Sequence, residues 1–200
     1  MEKNPMHNLS YGLFVLTARD GEKDNGCIIN TVMQVTENPD YIVIAVNKAN
    51  YTHDMIKKTG AFNISVLSEK AGFDTFRRFG FQSGRDTEKL VEIEFSRSSN
   101  EIVYLLNETN AFISGKVESE VDFPTHTVFF AKVTQSRVLS EDASMTYSYY
   151  HENVKPAPPK TESRKGYICT VCGYIYEGDV LPEDFICPLC KHPASDFRPL

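Results

Sequence analysis

The sequence predicts a mainly β chain in two parts, an antiparallel barrel followed by a small cysteine-knuckle module. Three observations carry this expectation: a series of short β-type runs through the first 140 or so residues, a proline-rich basic stretch at 151–165, and two CxxC pairs within the last thirty-two residues. The runs are GLFVLTA, CIINTVMQVT, YIVIAVNK, AFNISVL, EIVYLLN, NAFISGKVESEV and HTVFFAKVTQSRVL. Most are rich in β-branched and aromatic residues, and turn residues separate several of them. Two helices interrupt the series, one starting after Thr52 as N-cap and stopped by Gly60, the other from about Ser68 to Phe79 and closed by Gly80. Strands joined by tight turns with few helices suit an antiparallel barrel.

The segment HENVKPAPPKTESRK, residues 151–165, has three prolines, four basic residues and a single large apolar side chain, and reads as an extended linker. The chain therefore divides into 1–150, the linker 151–165, and a module over 166–200. A net charge of −6 argues against nucleic acid or an anionic membrane as partner, and the linker alone is basic. There is no apolar run of membrane-spanning length, and MEKNPMHNLSYG lacks the apolar core of a signal sequence, so the expected location is the cytoplasm. No internal repeat or low-complexity tract is present.

Cys169 and Cys172, then Cys187 and Cys190, write CxxC, fourteen residues, CxxC. Two residues between cysteines let the chain turn so that both sulfurs reach one metal, and two such turns complete a tetrahedron. Two structural disulfides are the bland alternative, and nothing in the chain marks an oxidising compartment. Soft thiolate ligands restrict the metal to zinc or iron, and the spacing does not choose between them. Cys27 is left over and reads as a packed core residue.

The surroundings of the knuckles make the choice. CxxCGYIYEGD, followed by FICPLC with Pro188 inside the second knuckle and Phe197 seven residues past the last cysteine, resembles rubredoxin over about residues 166–200. The resemblance implies iron in preference to zinc, an apolar shell of Tyr174, Tyr176, Phe185 and Phe197 excluding water, and one-electron transfer at the metal. Three departures accompany it: a shortened segment between the pairs, no Trp in the chain, and Lys191 where glycine usually follows the second knuckle.

No GxGxxG opens a helix after a strand and no GxxxxGK[ST] is present, which excludes the common nucleotide-binding motifs. Residues 26–56 instead put Asn30, Thr31 and Gln34 at one strand end and Lys48, Asn50 and Thr52 just after another. Amide, hydroxyl and ammonium groups beside a helix N-terminus suit a phosphate and a polar heterocycle, though such a strand end is more often a plain turn. Together with AFNISVL, RRFGFQSGRD and THTVFFAKV, this block resembles the flavin reductase family of FMN-binding split β-barrels over roughly residues 3–150. The resemblance implies isoalloxazine contacts at Asn30, Thr31, Val32 and Gln34, and ribityl phosphate contacts at Val46, Lys48, Asn50 and Thr52. Phe79, Gly80, Ser83 and Gly84 border the pocket in this mapping, and His126 is the catalytic candidate, against a plain hydrogen-bonded strand histidine. His7, His53, His151 and His192 read as surface or capping residues.

Joined, the two resemblances imply a homodimeric oxidoreductase that takes hydride from NAD(P)H onto FMN and passes electrons singly through the four-cysteine iron. Its expected acceptor is a partner such as a flavodiiron protein that reduces dioxygen or nitric oxide. Two alternatives stand beside it, an FMN and iron carrier reduced by another flavoprotein, and a flavin reductase with a structural zinc ribbon.

Overall fold

The computed structural model describes residues 5–156, 166–171, 173–188 and 192–200. Seven strands form one antiparallel sheet: β1 Phe14–Asp20, β2 Lys23–Ile29, β3 Val32–Glu37, β4 Asp40–Asn47, β5 Ala61–Leu67, β8 Thr109–Asp122 and β9 His126–Val138, in the order β2-β1-β5-β8-β9-β4-β3. The two edge strands of that order, β2 and β3, are separated in sequence by Asn30 and Thr31 alone. Two residues span at most about 3.6 Å each, so the sheet has to roll until its edges meet. The result is a barrel with a seam between β2 and β3, in accord with the mainly β split-barrel expectation.

The run CIINTVMQVT is thus two strands and not one. Asn30 and Thr31 carry the chain across the seam, and the Ala45 amide donates to the Thr31 carbonyl at 3.4 Å. Inside the barrel Leu16, Ile44, Phe62, Ile64 and Phe129 are fully buried, with Met55 and Ile56 closing one end from α1, Tyr51–Thr59. Each such side chain contributes roughly 1.5–3 kcal/mol relative to exposure.

Helix α1 starts earlier than the sequence reading has it. Its N-cap is Asn50, and Thr52 is a buried residue of the first turn. The stop at Gly60 is as expected: its φ of 69° is left-handed and its amide closes onto the Ile56 carbonyl. Helix α2 is shorter than expected, Phe73–Gly80. The Ser68 and Glu69 amides are taken by the carbonyls of Glu108 and Ala143, both at 2.9 Å, so that stretch is held by strand-like pairing across the chain.

EIVYLLN contracts to β7, Val103–Leu105, which pairs with β6, Phe95–Arg97, a strand the sequence reading missed. This two-stranded sheet is fastened to the barrel by buried polar groups. The Thr17 hydroxyl donates to the Val103 carbonyl at 2.6 Å. The Asn63 amide donates to Ile102 O and to Ser98 Oγ, each at 2.8 Å, while its carbonyl accepts from Asn100 at 2.9 Å.

The first residues of the expected linker are structured. A helical turn at Tyr147–Tyr149 runs into a π-helical turn at Tyr150–Val154, with Val154 packed on the core around Phe76. The Tyr150 ring lies 4.2 Å from that of Phe76, and burial pushes its phenol pKa up to about 12. Apolar packing extends the first part four residues past 150; residues 157–165 of the linker lie outside the described ones. The module has its own sheet, β11-β10-β12, from β10 Tyr167–Cys169, β11 Ile175–Tyr176 and β12 Phe197–Pro199. No helix among the described residues is long and apolar enough to cross a membrane.

Asn63→Ala would take the buried donor from the Ser98 hydroxyl and the acceptor from the Asn100 amide, while the Ile102 carbonyl keeps only the Ser98 amide. The expected loss is about 2–3 kcal/mol of unfolding free energy, read from urea midpoints at unchanged slope.

Candidate functional site

Three cavities run together along one side of the barrel. The first, about 710 Å³, is walled by Tyr11, Asn30, Thr31, Tyr147 and His151. The second, about 240 Å³, shares Tyr147 and His151 with it and is lined further by Leu13, Ile28, Gly80, Phe81 and Val171. Gly80 and Phe81 also belong to the third, about 350 Å³, with Asn25, Cys27, Asn50, Thr52, Ser83, Gly84 and Lys89. The shared residues make these one groove, with the barrel seam at one end and the start of α1 at the other.

The sequence-derived candidates distribute unevenly along it. Asn30 and Thr31 lie at the seam end, the Thr31 hydroxyl donating to the Asn30 side-chain oxygen at 3.2 Å. Asn50, Thr52, Gly80, Ser83 and Gly84 meet at the other end. Val46 is fully buried in the barrel and Phe79 in the neighbouring core, so each can offer a ligand only its backbone. Val32 packs on the barrel core, and Gln34 is exposed and donates to Asp40 at 3.2 Å. Lys48 is paired with Asp122 at 3.2 Å. None of these last three lines the groove.

His126 opens β9 opposite Asn47, with Nδ1 at 2.9 Å from the Thr125 hydroxyl, and it too lines none of the three cavities. His53, expected as a capping or surface residue, is buried in α1 with Nε2 at 2.8 Å from Thr127 Oγ1 and Nδ1 at 3.1 Å from Asp54.

Asn25 and Lys89 are groove residues that the sequence does not single out. Asn25 donates from its amide to the Thr52 hydroxyl at 2.8 Å and fixes it. A Cβ on Gly84 would run into that Asn25 amide, so only glycine lets the two segments approach. Lys89 is 4% exposed, and its Nζ donates to the carbonyls of Gly26 at 2.9 Å and Phe79 at 3.4 Å. No carboxylate among the described residues pairs with it, and burial holds its pKa below the ordinary lysine value. Cys27 lies beside it, buried, its thiol pushed up by that burial despite Thr52 and Lys89. At the rim, Lys23 Nζ and the Arg85 guanidinium each sit 4.9 Å from the centre of the Tyr51 ring. The Arg85 pair at 2.5 Å holds the Asp54 carboxyl below its usual range.

A buried ammonium without a counter-ion, hydroxyl and amide donors, a glycine approach and the first-turn amides of α1 fit an anionic group such as a phosphate. The seam end, larger and lined by tyrosines, fits a flat heterocycle.

In the module, Cys169 and Cys187 are buried in one small cluster, packed by Phe81, Val171, Tyr174 and Phe197. The Cys169 amide donates to Tyr174 O and the Gly173 amide to Cys169 O, at 2.8 and 2.9 Å, which closes the first knuckle. The Cys187 amide donates to His192 O at 2.8 Å across the second. Phe185 joins the expected aromatic shell, its ring 6.4, 4.8 and 5.4 Å from those of Tyr174, Tyr176 and Phe197. Two buried cysteines brought together from separate knuckles fit a thiolate metal; Cys172 and Cys190 lie outside the described residues.

Comparison with known proteins agrees with both halves. Residues 6–158 match the flavin reductase like domain, and residues 167–198 match the rubrerythrin, rubredoxin-like domain. The chain belongs to the flavin reductase family and carries a C-terminal rubredoxin-like domain. It is 34% identical to a high molecular weight rubredoxin of Moorella thermoacetica, covering 99% of each chain. It is 33% identical to a ferric-chelate reductase (NAD(P)H) of Archaeoglobus fulgidus over 80% of this chain and 95% of that one. Among solved structures, the NADH:FAD oxidoreductase of Streptomyces globisporus C-1027 superposes with a TM-score of 0.62 at 19% identity, covering 70% of this chain and 83% of that one. Flavoredoxin of Methanosarcina acetivorans does so at 0.59 and 21%, covering 64% and 68%. These two support the fold. The family and the second domain make the chain a redox electron-transfer protein, with flavin and iron as the groups its two folds imply.

Lys89→Met is expected to weaken FMN binding about tenfold or more, equivalent to ~1.4 kcal/mol, while riboflavin binding changes little. Because burial lowers the Lys89 pKa, a preference for FMN over riboflavin that rests on this ammonium should fade as rising pH removes the charge, below the pH of an ordinary lysine, and the variant should show no such limb. The unfolded chain holds that proton more tightly, so Lys89 itself contributes a gain of stability through this window. That gain is read as the difference between flavin-free wild type and Lys89→Met, because the raised Cys27 thiol acts with the opposite sign. Calorimetric titrations with the two flavins and unfolding midpoints against pH read both effects.

Proposed function

We propose that the chain is a cytoplasmic electron relay that draws on NAD(P)H through FMN and passes electrons through a four-cysteine iron to a partner such as a flavodiiron protein. The observation that carries this reading is the meeting of the two sites: Phe81 lines the groove and packs on Cys169 and Cys187 as well. The full-length likeness to a high molecular weight rubredoxin supports the pairing of functions, and the NAD(P)H in the name of the Archaeoglobus relative supports the nicotinamide. When bound, the flavin accepts an electron pair as hydride and releases electrons singly, and a tetrathiolate iron carries one electron with little change of geometry.

The chain's own residues do the rest. Lys89, Thr52, Asn50, Ser83 and the backbone at Gly84 bind the phosphate, with Asn25 orienting the Thr52 hydroxyl. Asn30 and Thr31 offer hydrogen bonds to the polar edge of the ring, and Tyr11 and Tyr147 shield it from water. Cys169, Cys172, Cys187 and Cys190 hold the iron, and Tyr174, Phe185 and Phe197 exclude water from it. Hydride transfer needs alignment and a dry site and no protein acid or base, so His126 at the hairpin edge is not required for it. The barrel pairs with a second copy through β3, whose Met33 and Val35 are 61% and 50% exposed. The break between the two functional parts lies beyond Val154.

An anaerobic titration with NADH and NADPH, followed by visible absorption, tests the reading. Flavin and ferric-thiolate bands should both bleach; bands that are present and unchanged by either nicotinamide would overturn it. Cys187→Ser should cut electron delivery to an external acceptor by a hundredfold or more and leave the rate of flavin bleaching within about twofold. Equal loss of both steps would rule out the series arrangement.

A further inference from the structure

Phe81 caps the C-terminal end of α2, where the chain leaves the helix after Gly80. Its ring sits 5.8 Å from that of Phe73 on one side and packs on the Cys169/Cys187 cluster on the other. Val171, between the two cysteines of the first knuckle, enters the middle of the groove among Leu13, Ile28, Phe76 and Tyr150. His192 and Pro193, flanking the second knuckle, line the end that holds Lys89 and Thr52. Both knuckles therefore face the groove of the same chain, and an aromatic side chain stands at the point of contact.

Electron exchange between two buried centres falls steeply with the gap between them, so a module that has to receive electrons gains from a docked position. The apolar set at the contact, Leu13, Ile28, Phe76, Phe81 and Val171, gives that position a hydrophobic driving force. We propose that Phe81 is the positioning residue through which the cysteine module docks on the groove of its own chain, so that electrons pass from groove to module within one chain. The proposal rests on the relay reading above. It adds the docking residue and the choice of the same chain over a second copy.

The chain contains no tryptophan, so Phe81→Trp installs a single reporter at the contact. In the full-length, iron-loaded protein the indole should emit at the short wavelength of a buried ring and be quenched several-fold by the neighbouring ferric thiolate. Adding Val171→Asp places a charge in the apolar groove and should shift that emission to the red and restore its intensity. An indole that already emits like one in water, or that ignores Val171→Asp, would overturn the proposal.

Hydrogen exchange on the chain with its native Phe81 keeps the test independent of the reporter. Val171→Asp alone should speed amide exchange over residues 73–84, and unchanged exchange there would count against docking as surely. Neither readout depends on nicotinamide, so a failed NADH titration and a failed docking test are separate results. For the choice of chain, Gly84→Val and Cys187→Ser forms are co-expressed and the mixed species purified. Transfer within one chain predicts no recovery of electron delivery, because neither chain has both sites intact, and recovery to about half the wild-type rate would overturn it.

Discussion

The rest of the structure depends on the shortness of the link between β2 and β3. Two strands at opposite edges of a seven-stranded sheet cannot be joined by Asn30 and Thr31 unless the sheet closes on itself. Closure buries Leu16, Ile44, Phe62 and Phe129 inside, and it also leaves a seam where backbone and two polar side chains face outward. The wide end of the groove lies at this seam. Binding surface and barrel closure thus have one cause, and a longer link would relax both.

The other end of the groove is set by charge. The chain is acidic overall, yet Lys23, Arg85 and Lys89 gather around the start of α1. Lys23 and Arg85 are held on Tyr51 near the surface, where water and salt weaken them. Lys89 is different, because its buried ammonium donates to two carbonyl oxygens and has no carboxylate partner among the described residues. Such a group lowers its own pKa and raises the value of any anion that comes to share the cavity. The local cost to the empty protein and the affinity for an anion have the same origin.

How much of this was legible in the sequence varies with the kind of signal. The cysteine spacing and its aromatic neighbours were readable because metal coordination fixes residue types at short, regular intervals. β4, β5, β8 and β9 were readable from their β-branched and aromatic runs, and Gly60 from its stop signal. The boundaries that slipped are those decided by distant pairing: Ser68 and Glu69 look helical locally but give their amides to Glu108 and Ala143. CIINTVMQVT looks like one strand, and only the barrel's closure divides it. Of the groove residues, Asn50 and Thr52 stood out as polar groups beside a helix N-terminus, and Ser83 and Gly84 came from a family pattern. Lys89 sits in a charged stretch, SGRDTEKL, where nothing local separates a buried lysine from a solvated one, and Asn25 is recognisable only through its hydrogen bond to Thr52.

The module's small size links its folding to its contact with the barrel. Thirty-five residues, with Ile168, Cys169 and Cys187 as the buried apolar residues among those described, bury too little surface to hold a fold unaided. In the proposed relay, metal bound by the four cysteines would supply the missing stability and fix the two knuckles relative to each other. Val171 belongs to one knuckle, and His192 and Pro193 flank the other. Both knuckles thus contribute to the groove wall, so the ligation proposed for the module would also shape the surface that meets Phe81. In the relay reading a module without its metal would lose the surface that meets the groove together with the electron site, which couples docking to metal loading.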